Sequence, residues 1–270
     1  MAKERILFIT QEITPYISAN PVSSLGKFLP VSMQDKGFEV RTFMPKFGAV
    51  NERRNQLHEV IRLSGININI DDNDHPLVIK VASLQPSRIQ VYFIDNDDFF
   101  QKLESDIDVS GVNREDNDER AIFFSRGTME TAKKLRWDPK IIHCSGWITS
   151  LIPIYIKRLY GDDLSFKNSK IVYSIQPAKD MAPINPKIIN KLKAEGISSR
   201  DLKKYASDTT DVNTLHKIGI DYAHGIIVND PEIDPSLLDY IKESGKPLLM
   251  APDMELDADK YLEFYNSLCN

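Results

Sequence analysis

Asp95-Asn96-Asp97 has the Asp-x-Asp spacing with which one class of sugar-nucleotide transferases holds a divalent cation. Asp and Asn closing a strand are also ordinary turn formers, so both readings stand open. The five histidines, His58, His75, His143, His216 and His224, show no His-x-x-x-His or similar ligand spacing, and no metal site is expected. His143 stands apart because it ends an apolar run, where ligand groups of open α/β sheets collect; a structural histidine fits the same position equally well. No Gly-x-Gly-x-x-Gly, Walker or Gly-x-Ser-x-Gly sequence occurs, which argues against dinucleotide, P-loop and elbow-hydrolase chemistry. No cofactor is expected.

The elements that would position these groups start with the stretch 5–36. An apolar run, Ile6-Leu7-Phe8-Ile9, stops at Thr10 and is followed by a loop through Pro15 and Tyr16, then by a helical pattern. A buried parallel strand hands its loop to a ligand in this way. Ser23 or Ser24 is expected to cap the helix, whose apolar positions are Leu25, Phe28, Leu29 and Met33 and whose end is Gly37. Pro30 inside it predicts a kink or early break. Residues 38–44 read as a second strand, completing one βαβ unit.

Over 57–95 the period changes to two, with Ile66, Ile68 and Ile70 and then Ile89, Val91 and Phe93 alternating with polar residues. This predicts an antiparallel meander inserted into the α/β pattern. Residues 97–117 read as an exposed acidic loop, and 118–135 as a helix with Ile122, Phe123, Met129 and Ala132 inside. Strands are expected at 140–143, 170–175, 225–228 and 247–250, with a helix over 147–160 and two short helices within 177–211. Asp234-Pro235 should cap a helix carrying Leu237, Leu238 and Ile241, ended by Gly245. Asp257 should start a last helix whose Tyr261, Phe264, Tyr265 and Leu268 pack back on the sheet. The fold class is α/β, a Rossmann-like parallel sheet with the antiparallel insertion. Residues 1–270 are expected to form one self-contained domain.

A length of 270 residues with 41% hydrophobic residues suffices for one full core. A net charge of -5 offers no basic face for phosphate neutralisation and argues against nucleic acid. Two cysteines without a Cys-x-x-Cys pair give neither a disulfide framework nor a thiolate zinc site, which fits a reducing cytoplasm. No apolar run approaches the ~20 residues that span a bilayer. A soluble, cytoplasmic protein is expected.

Several segments together resemble the N-terminal domain of bacterial glycogen and starch synthases, ADP-glucose-dependent glucosyltransferases of GT-B fold. They are Arg5-Ile-Leu-Phe-Ile-Thr-Gln-Glu-Ile-Thr-Pro-Tyr16 with Leu29-Pro30, Phe43-Met-Pro-Lys-Phe-Gly48 and Val91-Tyr-Phe-Ile-Asp-Asn96. Further on come Asp116-Asn117 with Arg120 and Phe123-Phe-Ser-Arg126, Ile142-His143 with Trp147, Tyr173-Ser-Ile175 and Lys217-Ile-Gly-Ile220. Order and spacing hold across nearly the whole chain, which would then be a single half of a GT-B fold.

The resemblance also exposes departures. The family's Lys-x-Gly-Gly loop, which brings backbone donors to the nucleotide phosphates, is matched by Ser18-Ala19-Asn20-Pro21. Its His-x-His-Asp-Trp is here His143-Cys144-Ser145-Gly146-Trp147, so the sugar-contacting second histidine is Ser145, and its His-Asn is Gln176-Pro177. The second Rossmann-like domain, which holds most of the nucleotide and supplies an Arg and a Lys to the departing diphosphate, is not among these residues. What the resemblance leaves is Asp116 as a candidate catalytic residue and Glu12, Lys46, His143 and Ser145 as candidate substrate contacts.

Three functions follow. The first is a synthase-like protein of α-glucan metabolism, inactive alone, that binds glucan or regulates, with α-glucan, a nucleotide sugar, another protein or a second copy as partner. The second is a glucosyltransferase completed by another chain. The third is a metal-dependent sugar-nucleotide enzyme using Asp95 and Asp97.

Overall fold

The structure, a computed structural model, describes residues 3–101, 110–207, 209–254 and 256–269. In chain order the elements are β1 (Arg5–Thr10), α1 (Pro21–Asp35), β2 (Glu39–Pro45), β3 (His58–Glu59), β4 (Ile66–Ile70), β5 (Asn73–Leu84), β6 (Ile89–Asp95) and α2 (Asn117–Lys134). They continue as β7 (Ile141–Ser145), α3 (Ile152–Arg158), β8 (Lys170–Ile175), α4 (Ile188–Ala194), α5 (Ser199–Leu202), α6 (Val212–Tyr222), β9 (Gly225–Val228), α7 (Pro235–Glu243), β10 (Leu248–Met250) and α8 (Ala258–Cys269).

The sheet runs β10-β9-β8-β7-β1-β2-β6-β5-β3, with β4 paired to the first part of β5. Every neighbouring pair from β10 to β6 is parallel, and β6-β5 and β5-β3 are antiparallel. The expected α/β class is therefore present, and the antiparallel strands extend the parallel sheet itself. The parallel strands are near-continuous apolar runs, as burial on both faces requires: Ile6, Leu7, Phe8 and Ile9 are all buried. Helices cover both sides. Tyr173 of β8 meets Gly219 of α6, whereas His143 of β7 meets Tyr265 of α8.

Several local expectations change. Asn20 caps α1: its Oδ1 accepts the Ser23 N–H at 2.8 Å while the Ser23 Oγ accepts the Asn20 N–H at 3.0 Å, a reciprocal capping box. The helix runs through Pro30, whose ring is buried in the core, so packing overrides the lost backbone bond. The 147–160 helix is split into a 3-10 turn at Trp147–Thr149 and α3, which opens with Pro153 in its first turn. Helix α6 lies where the sequence reading placed none. The acidic loop over 97–117 lies partly outside the described residues; of its described part, Phe99, Phe100, Ser110 and Arg114 are buried rather than exposed.

The other helices follow their patterns. Ile122, Phe123, Met129 and Ala132 are buried in α2, but so are Arg120, Ser125, Thr128 and Thr131, because this helix is enclosed almost all round. Asp234 caps α7 and Gly245 follows it at φ +65°. In α8, Tyr261, Phe264, Tyr265 and Leu268 are all buried against the sheet, Phe264 and Leu268 within reach of Gly225.

Candidate functional site

The chain leaves β1 toward β2 on one side and returns to lay β7 on the other, so the direction of winding reverses between β1 and β7. Ligands of open α/β sheets bind in the crevice above the carboxyl ends at such a point. At this point Gln11 and Glu12 follow β1, Ser145 ends β7 and Gly146 follows it, and the two strand ends are joined by the Gln11 N–H donated to the Ser145 carbonyl at 3.1 Å. Gly146, at φ +92°, is needed as glycine: a Cβ there would lie 2.7 Å from Gln11 Oε1.

Glu12 is buried and held at both oxygens, by Asn20 Nδ2 at 2.7 Å and by Gln11 Nε2 at 3.3 Å. At the end of β7 Gln176 Nε2 donates to Ser145 Oγ at 2.8 Å and to Asn229 Oδ1 at 3.3 Å. Asn229 Nδ2 in turn donates to the Ala251 carbonyl and to Tyr261 OH, which fixes its amide and hence that of Gln176. Two buried amide oxygens, Gln11 Oε1 and Gln176 Oε1, are left without a protein donor among the described residues. Both oxygens are enclosed by protein, so they are unfilled acceptors inside the fold.

A helix N-terminus binds phosphate through free backbone N–H groups. Pro21 has no N–H, and the Asn20–Ser23 capping box occupies the N–H groups of Asn20 and Ser23.

Of the expected site residues, Glu12 and Ser145 share this crevice. His143 lies two residues below Ser145 and is 2% exposed, with Nδ1 2.7 Å from Tyr265 OH and Nε2 2.5 Å from Ser174 Oγ. Burial pushes its pKa down to about 3, so the ring is neutral and ties β7 to β8 and α8. Lys46 is 3% exposed in a closed ring: its Nζ meets Glu52 Oε1 at 2.8 Å and Gln101 Oε1 at 3.1 Å. Lys80 Nζ then bridges Glu52 at 2.7 Å and Asp95 at 2.8 Å, and Gln101 Nε2 donates to Asp95 at 2.6 Å. Asp116 precedes α2 without capping it and is held by the Arg114 guanidinium, Nε to Oδ1 at 2.8 Å.

Asp95 is committed to Lys80 and Gln101, and Asp97 is exposed. No three His, Cys, Asp or Glu side chains converge on a cation site among the described residues. Gln11 and Asn229 went unnoticed in the sequence, although each directly follows an apolar strand. That position was the available signal.

A family profile described as the starch synthase catalytic domain matches residues 5–241. A glycogen synthase of Chlorobium limicola is 34% identical over 196 residues, covering 72% of this chain and 40% of the relative. That of Chlorobaculum tepidum is 31% identical over 252 residues, covering 89% of this chain and 51% of the relative. This chain thus spans about half the length of the relatives it matches or less. The catalytic domain of starch synthase IV from Arabidopsis thaliana, bound to ADP and acarbose, superposes with a TM-score of 0.73 at 16% identity, over 92% of this chain and 51% of that one.

Proposed function

The chain belongs to the glycogen and starch synthase family, and from that premise we propose that it acts in α-glucan metabolism as a glucan-binding or regulatory domain without synthase activity of its own. One observation carries this reading: the first strand-to-helix junction, where the family's glycines present backbone donors to phosphate, is closed by Pro21 and the Asn20–Ser23 capping box. Loss of one preorganised donor at a reacting centre costs about a hundredfold to a thousandfold in rate. Here the phosphate loop and the sugar-contacting histidine are both replaced.

The candidate contacts that remain are Glu12 and Ser145 at the ends of β1 and β7 and Asp116 before α2, where Arg114 holds it. These are partners for sugar hydroxyls. An α-glucan is therefore favoured over ADP-glucose, even though a homologous domain has been seen with ADP and acarbose. We propose a cytoplasmic location, with a synthase chain or a second copy as candidate protein partner. Among the described residues no helix is long and apolar enough to cross a membrane.

Radiolabelled ADP-glucose incubated with the chain and glycogen should give no label in glycogen above a heat-killed control. Label above that control would overturn the reading in favour of an active glucosyltransferase.

A further inference from the structure

At the end of the sheet opposite the crevice, Lys170 opens β8, His224 directly precedes β9 and Lys246 precedes β10, while α3 brings Lys157 and Arg158 there in its last turn. These strands are parallel neighbours, so their amino ends lie side by side. The His224 ring fixes the protons in this cluster. The Ile171 N–H donates to His224 Nδ1 at 2.8 Å, so Nδ1 is an acceptor and the neutral ring carries its hydrogen on Nε2. Lys157 Nζ lies 2.8 Å from that Nε2. Two donors do not share such a contact. An ammonium has no acceptor, whereas a neutral amine has a lone pair that takes the Nε2–H.

We propose that Lys157 is a site of covalent acylation, its neutral amine attacking the carbonyl carbon of an acyl phosphate drawn in by Lys170 and Lys246. The nitrogen forms a C–N bond as the bond from the carbonyl carbon to the bridging oxygen breaks. Phosphate leaves with that electron pair and takes the proton that the nitrogen sheds, so the products are an amide and inorganic phosphate. Partial desolvation of the amine, on a side chain that is otherwise exposed, pushes the Lys157 pKa below the ordinary lysine value, and the charges of Lys170 and Arg158 push the same way. His224 stays neutral because burial, with Lys157, Lys170 and Lys246 beside it, lowers its pKa to about 4. Carboxylates on the neighbouring elements are engaged elsewhere: Asp201 pairs with Arg158, Asp221 with Lys204 and Glu4 with Lys140. Lys246 Nζ donates instead to the Asp221 and Ala223 carbonyls at 2.7 and 2.5 Å. The cluster therefore keeps uncompensated positive charge in a chain of net charge -5, which suits a phosphate dianion.

The test incubates the whole chain with acetyl phosphate near neutral pH and follows each lysine by peptide mass spectrometry, with the exposed Lys167 and Lys193 as internal standards. Lys157 should be acetylated about tenfold or more faster than either. The uncharged N-hydroxysuccinimide ester of acetic acid should keep Lys157 ahead by a smaller margin, because the amine is neutral but no anion is attracted. In the Lys170→Gln/Lys246→Gln variant the two reagents should give Lys157 the same lead. The ¹⁵N shifts of the His224 ring should show the hydrogen on Nε2. Equal rates at the three lysines, or a hydrogen on Nδ1, would overturn the neutral amine. A wild-type lead no greater with acetyl phosphate than with the ester, or one untouched in the double variant, would overturn the acyl phosphate.

Discussion

Gly26 leaves no room for a methyl group: a Cβ there would lie 2.2 Å from the Glu12 carbonyl oxygen and 3.2 Å from Thr10 Oγ1. Helix α1 therefore lies directly on the loop that follows β1, and any side chain at 26 must push the two apart. Gly26→Ala should destabilise the fold by about 1–3 kcal/mol, as overpacking does. Chemical denaturation checks this, and an unchanged midpoint would show that the contact is not tight. The same packing ties Glu12 to Asn20, so the carboxylate that the resemblance offers as a candidate sugar contact braces the first turn of α1.

At the scale of elements, α8 does most to finish the carboxyl half of the sheet. Tyr265 OH meets the buried His143 ring, Tyr261 OH accepts from Asn229, and Phe264 and Leu268 pack over Gly225, where a Cβ would approach both within 2.9 Å. Each such buried side chain contributes about 1.5–3 kcal/mol. Deleting 257–270 should therefore lower the melting temperature by about 10 °C or more, or cause aggregation, at about 2–4 °C per kcal/mol for a chain of this size. A soluble, monomeric product with an unchanged melt would refute this role. The apolar stripe at 261, 264, 265 and 268 was readable from spacing alone. Its target was not, because the partners of Tyr265 and Tyr261 lie 122 and 32 residues away.

The whole molecule carries a pH signature. Burial holds His143 at about 3 and His216 at about 4, against an ordinary value near 6.5 when unfolded. Both groups bind protons more readily in the unfolded chain, so their stabilisation is complete above about pH 6.5 and is lost as pH falls toward 4 and then 3. The melting temperature should fall steadily below pH 6.5, and His143→Gln should flatten that slope even if it lowers stability at pH 8. An identical slope in the variant would show that other groups carry the acid sensitivity.

The α/β class, the antiparallel strands, the cap of α7 and the family itself were all contained in the sequence, because they rest on local period, turn chemistry and short motifs, whereas the strand order came only with the structure. The replaced phosphate loop was contained in the sequence too, as Asn20-Pro21. Only the tertiary structure decided what the surviving polar residues do. Lys46 follows β2 as a ligand group would, and His143, expected at a strand end, stands in the middle of β7; the fold brings Glu52 and Gln101 to the first and Tyr265 and Ser174 to the second, which occupies their polar atoms. Gln11 and Gln176 look ordinary in sequence, yet the fold buries one amide oxygen of each without a donor among the described residues. A hydrogen-bonding group's role depends on which distant groups reach it, and that is set by the packing of β7, β8 and α8 rather than by spacing along the chain.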